Sequence, residues 1–99
     1  MNKKDFAQKF LAALNSNNDS EIRQFFTPIA VVYSLDEYHS VTLADFIEKQ
    51  KKCNSTRQFV ELSESRVAFK VRYTIDGAPN SFNIELDGKR ISHLDYASR

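Results

Sequence analysis

The hydrophobic period of this chain changes once, from helical to alternating, and that change limits the fold more than any other feature. Before about Asn54 the apolar residues recur at helical spacing. Phe6, Phe10, Ala13 and Leu14 fall on one face of a first helix. Asn15-Ser16-Asn17-Asn18 interrupts it with residues that prefer turns and caps. Asn18 followed by Glu21 reads as the start of a short second helix, with Ile22, Phe25 and Phe26 inward and Pro28 as its stop. A strand over residues 29–34 follows, then a polar loop or short edge strand over residues 36–40. Thr42 with Asp45 three residues on resembles a capping box and opens a third helix, which buries Leu43, Phe46 and Ile47.

After Asn54 the period is two. Residues 57–63 form one strand. Val67, Phe69, Val71, Tyr73 and Ile75 alternate with Ala68, Lys70, Arg72 and Thr74 in the next. Phe82, Ile84 and Leu86 alternate with Asn83 and Glu85, and Asp87-Gly88 is a strong two-residue hairpin signal before a last strand from Lys89 to about Tyr96. Helices first and antiparallel strands after define an α+β fold with three N-terminal helices packed on a mainly antiparallel sheet. Ninety-nine residues are one domain's worth of chain, so residues 1–99 are read as a single domain with one core.

Pairing sharpens the picture. Setting Ile75 against Phe82 brings Tyr73 to Ile84 and Val71 to Leu86 on one face, and Arg72 to Glu85 on the other. Closing Asp87-Gly88 as a two-residue turn then sets Leu86 against Lys89 and Ile84 against Ile91. His93 and Asp95 would follow on the same inner face. A one-residue bulge would reverse this and bring Leu94 and Tyr96 inside instead. The uninterrupted turn is preferred because it buries Ile91 and exposes Arg90. An imidazole and a carboxylate turned inward need partners, either a wet or ligand-filled cavity or a hydrogen bond from a side chain such as Tyr33 or Tyr73.

Charge narrows the function classes. Fourteen Lys and Arg against thirteen Asp and Glu leave a formal +1, without the basic stripe that phosphate contacts require, so nucleic acid is not an expected partner. Lys49, Lys51 and Lys52 cluster where the third helix ends, where its dipole favours cations. Cys53 is the one cysteine and reads as a small boundary residue; no disulfide or zinc-site spacing exists, and no metal or cofactor is expected. His39 sits in a polar loop and reads as solvated. No apolar stretch is long enough to span a bilayer, and the start lacks an apolar signal core, so the expected address is cytoplasmic.

The order of elements resembles the nuclear transport factor 2-like superfamily, and within it the SnoaL-like group that contains polyketide cyclases. The residues carrying the resemblance are Phe10-Leu11-Ala12-Ala13-Leu14-Asn15 with Asn18-Asp19 and Ile22, then Thr42-Leu43-Ala44-Asp45-Phe46-Ile47. The tail Asp87-Gly88-Lys89-Arg90-Ile91-Ser92-His93-Leu94-Asp95-Tyr96 completes them. The resemblance implies a cone, a cystatin-like roll in which a curved sheet wraps the helices around a pocket. Phe6, Phe10, Tyr33, Phe46, Phe69, Tyr73, Phe82, Ile84 and Ile91 would line that pocket. It also implies a homodimer through the outer sheet face and, in the enzymes, an acid/base on the closing strands, which here reaches His93 and Asp95.

Two function classes follow. One is a cofactor-free cyclase or isomerase, with His93 or Asp95 moving a proton and Tyr33 or Tyr73 donating to an enolate oxygen. The other is a non-catalytic dimeric binding or assembly module. Its outer face would carry Lys70, Arg72, Asn83 and Glu85, with Leu94 and Tyr96 as an exposed apolar contact. A small apolar ligand is compatible with either.

Overall fold

Side chains fix where each helix begins. The computed structural model describes residues 2–99; Met1, the first residue of the range read above as one domain, lies outside them. Asn2 caps α1 (Lys3–Ser16), accepting a hydrogen bond from the Asp5 amide at 3.1 Å. Asn18 caps α2 (Asp19–Arg23) through the Glu21 amide, and Thr42 caps α3 (Leu43–Lys51) through the Asp45 amide. Asn17, at φ 60°, ends α1 in the left-handed region that asparagine tolerates.

Six strands complete the described chain: β1 (Phe26–Ser34), β2 (His39–Val41), β3 (Arg57–Glu64), β4 (Phe69–Ile75), β5 (Ala78–Asp87) and β6 (Arg90–Ala97). They form one sheet in the order β2-β1-β6-β5-β4-β3, antiparallel except where β1 runs parallel to β6. The second helix is shorter than its apolar pattern suggests: it stops at Arg23, and Phe26 already belongs to β1. Pro28 therefore ends no helix. It lies where the β1 to β6 register slips between Phe26 and Val31, a stretch that can spare the missing N–H.

The two long hairpins depart from the expected pairing in different ways. Between β4 and β5, Ile75 pairs with Ala78 across an Asp76-Gly77 turn whose residues have φ 53° and 79°. Positive φ at both turn positions is what Asp-Gly supplies in a two-residue hairpin. Val71 consequently meets Phe82, and Phe69 meets Ile84. The register differs from the expected one by an even number of residues, so every side chain keeps its face. Arg72 turns instead to Glu61 of β3, at 2.9 Å.

Between β5 and β6 the faces do change. Asp87 pairs with Arg90 across Gly88-Lys89, and Leu86 pairs with Ile91; the register then slips, so that Glu85 meets His93 and Ile84 meets Leu94. The slip absorbs Ser92, whose hydroxyl donates to the Glu85 carbonyl at 3.2 Å. Ile91, Leu94 and Tyr96 all face the helices, the first two with 0% exposure. His93 and Asp95 face the other way. The expected inward pair is thus corrected, for a physical reason: the bulge buries two large apolar side chains and spares two ionisable ones a buried site.

Between the sheet and α1 and α3 lies an aromatic core. Phe10 packs on Phe82 at 5.4 Å and Phe26 at 5.8 Å, while Phe46 packs on Tyr96 at 5.3 Å. Tyr73 stacks on Phe82 at 4.8 Å. Such pairs contribute about 0.5–1.5 kcal/mol each beyond their burial. Phe6, Phe10, Phe46, Phe69, Tyr73, Phe82, Ile84 and Ile91 are therefore packed core, not the lining of a wide chamber. Tyr33, expected with them, pairs with Asp95 on the opposite face.

Candidate functional site

The inner face of the sheet is not filled to its end. Below the last turn of α3 it leaves a recess of about 180 Å³, bordered by Lys49, Gln50, Cys53, Arg57, Tyr73 and Tyr96 among others. Local structure puts these groups together. Phe46, Ile47 and Gln50 form the buried stripe of α3, so a side-chain amide is carried into the core at the helix end. Arg57 opens β3 opposite Ile75 on the inward side.

Arg57 is only 4% exposed. Its Nη2 donates to the Gln50 carbonyl and to Gln50 Oε1, both at 2.9 Å, and its Nη1 donates to Asn15 Oδ1 at 3.3 Å. Asn15 also accepts from the Arg57 amide and donates to its carbonyl, which ties α1 to β3. The guanidinium thus joins α1, α3 and β3 through neutral partners, and its Nε has no hydrogen-bond partner among the described residues. Tyr73 projects from β4 toward the same place. Burial pushes its phenol well above the ordinary tyrosine range, partly opposed by the Arg57 charge, so the hydroxyl stays protonated. At the rim, Lys49 Nζ lies 5.1 Å from the centre of the Tyr96 ring and 3.7 Å from Glu37 Oε1. The Cys53 thiol donates to the Ser55 carbonyl at 3.4 Å.

His93 and Asp95 do come together, but elsewhere. Two apart on one strand, they share the outer face and meet at 2.6 Å between Nε2 and Oδ1, with side chains 35% and 21% exposed. They thereby satisfy each other, without Tyr73. The larger hollow of the molecule also lies on this outer side. It is an open trough of about 790 Å³ whose wall includes Val60, Glu61, Lys70, Arg72 and Asn83. The smaller recess is the better candidate site, because Arg57 there is buried and meets no carboxylate among the described residues, whereas Arg72 in the trough is exposed and paired with Glu61. Leu94 and Tyr96 are absent from the outer face, so they supply no contact surface there. Val31 and Val60, 47% and 55% exposed, are among the apolar groups it presents.

His39 is exposed, as its loop suggests. Hydrogen bonds to the Ser40 carbonyl and the Glu37 carboxylate raise its pKa. Among the described residues no group of three or more His, Cys, Asp or Glu side chains is gathered to hold a metal, and no helix is long and apolar enough to cross a membrane.

No protein-family model and no curated protein matches the chain. Solved structures do. A SnoaL-like protein of unknown function from Burkholderia thailandensis superposes with a TM-score of 0.83 at 7% identity, over 97% of this chain and 92% of that one. A nuclear transport factor 2-like protein of unknown function from Cytophaga hutchinsonii gives 0.69 at 13% identity, over 100% and 91%. A hypothetical protein with a ketosteroid isomerase-like fold from Catenulispora acidiphila, in complex with trimethylamine, gives 0.74 at 11% identity, over 93% and 83%. The fold is the nuclear transport factor 2-like cone: helices held within a curved, mainly antiparallel sheet. At these identities the likeness establishes the fold and leaves the activity open.

Proposed function

We propose that this chain is a single nuclear transport factor 2-like domain of the cytoplasm that binds a small molecule in the recess below α3 and dimerises through its outer sheet face. The observation carrying the reading is the make-up of the recess wall, where guanidinium, amide, ammonium, phenol and thiol groups meet the edges of Ile75 and Tyr96. Neither a carboxylate nor an imidazole stands among its lining residues to take a proton near neutral pH. Such a wall orients a ligand by hydrogen bonds and encloses a short apolar body.

Support for the dimer comes from Val31 and Val60, exposed on a face of mixed charge. Two measurements test the proposal. Amide chemical shifts recorded against a library of small molecules should move at Gln50, Cys53, Arg57 and Tyr73; shifts confined to the outer face would contradict the assigned site. Sedimentation should give a dimer that Val31→Arg dissociates, and a monomer at every concentration would remove the assembly.

A second reading is favoured by the 2.6 Å contact of His93 with Asp95, beside Tyr33 on the neighbouring strand. In it the chain is a cofactor-free cyclase or isomerase, the carboxylate orients the imidazole, and the substrate lies on the outer face. That reading requires His93→Gln and Asp95→Asn to abolish turnover in folded protein, and normal turnover in both would dispose of it.

A further inference from the structure

We propose that the ligand of the recess is a small organic carboxylate, bound with its charged end toward Arg57 and its short apolar body against Ile75 and Tyr96. The inference rests on the binding reading above and adds the chemical class.

The first support is an unbalanced charge. Arg23, Arg72 and Arg99 each meet a carboxylate, of Asp19, Glu61 and Asp36 respectively. Arg57, the buried arginine, meets only amide and carbonyl oxygens, and its Nε meets nothing among the described residues. Taking a guanidinium out of water without a counter-ion is costly, and a bound anion in the recess would offset much of that cost. Nη1 makes a single long bond, 3.3 Å to Asn15 Oδ1, and so keeps a donor to give.

The second support is that nearby acids are engaged. Asp36 accepts from the Ser98 amide and faces Arg99, Asp76 accepts from the Ser55 hydroxyl, and Glu37 holds His39. Lys49 adds a second cation at the rim, paired with Glu37 only at 3.7 Å. Tyr73, whose phenol stays protonated, can only donate to an anion beside Arg57.

Size and shape select the class. About 180 Å³ is roughly six waters' worth of liquid at about 30 Å³ each. That holds an acid of a few carbons and excludes a polycyclic ring system. A carboxylate matches the flat donor array of a guanidinium.

The test is a titration of the whole chain, followed by the arginine side-chain and recess amide signals, with butyrate, its neutral isostere butyramide, and inorganic phosphate as separate probes. Saturable shifts at Arg57, Gln50 and Tyr73 with butyrate, and none with butyramide, are expected. Arg57→Met should weaken butyrate at least about tenfold, the loss of a charge-assisted hydrogen bond. Because Arg57 also ties α1 to α3, Lys49→Gln, at an exposed rim position, provides a second variant; weaker butyrate binding is expected and unchanged binding would count against the charge argument. Butyramide binding as well as butyrate would overturn the carboxylate while leaving the recess a binding site. Phosphate shifting these signals as strongly as butyrate would overturn the choice of a carboxylate. Silence at the recess with every probe would end this inference, and failure of the wider library there as well would end the binding reading.

Discussion

Two hairpins of this sheet turn at an Asp-Gly sequence, yet one keeps its faces along its length and the other reverses them. The turn is Asp76-Gly77 in the first and Gly88-Lys89, just past Asp87, in the second. From Asp76-Gly77 the β4 to β5 pairing runs without interruption from Ile75 against Ala78 to Phe69 against Ile84. From Asp87-Gly88 the β5 to β6 pairing runs only as far as Ile91 before Ser92 is squeezed out. The turns do not decide this. In β4 every second residue from Phe69 to Tyr73 is apolar, so an unbroken register satisfies both faces. In β6 the apolar residues are Ile91, Leu94 and Tyr96, and no unbroken alternation buries all three. One extra residue does, and the local cost of a broken ladder is small beside the burial gained.

Deleting Ser92 attacks this difference most directly. Without the spare residue Ile91, Leu94 and Tyr96 fall at every second position, so an unbroken ladder buries all three. The domain should keep its cooperative unfolding transition in urea, and loss of that transition would contradict the bulge. Leu94→Ala comes next. At a fully buried site it should cost about 2–5 kcal/mol in the same assay, and a cost below about 1 kcal/mol would mean that Leu94 is not inside.

A smaller effect is expected from Tyr73→Phe, and its sign is set by titration. The folded-state pKa of Tyr73 lies above the unfolded value of about 10, so its contribution is complete below that pH and is lost as pH rises beyond it. The wild-type melting temperature should therefore fall more steeply above pH 10 than that of Tyr73→Phe. Parallel curves would show that the phenol is exposed. Least of all should come from His93→Gln with Asp95→Asn, a partly exposed pair worth under about 1 kcal/mol. A large loss there would place the pair inside.

Much of the helical half could be read from residues alone, because caps and periodicity are local. Asn18, Thr42 and the Phe6, Phe10, Leu14 stripe sit where their spacing put them. The Asp76-Gly77 turn carried the same signal as Asp87-Gly88. It was masked by Ala78-Pro79-Asn80-Ser81, which hides the start of β5 under residues that avoid strands. The bulge was visible only as one of two alternatives, which set the burial of Ile91 against that of Leu94 and Tyr96, whereas a slip placed after Ile91 buries all three. Ser92 resolves them only when the burial of Leu94 and Tyr96 is counted together with that of Ile91. The recess was the least legible part. Arg57 and Gln50 are polar residues at inward positions, and only the meeting of α1, α3 and β3 gives them partners.

The face reversal can be observed without altering the chain. Nuclear Overhauser effects from the Tyr96 ring to Phe46, whose centres lie 5.3 Å apart, should be strong, with none from the His93 ring to any core phenylalanine. Contacts from His93 to Phe46 or Phe82, with Tyr96 silent toward both, would contradict the account.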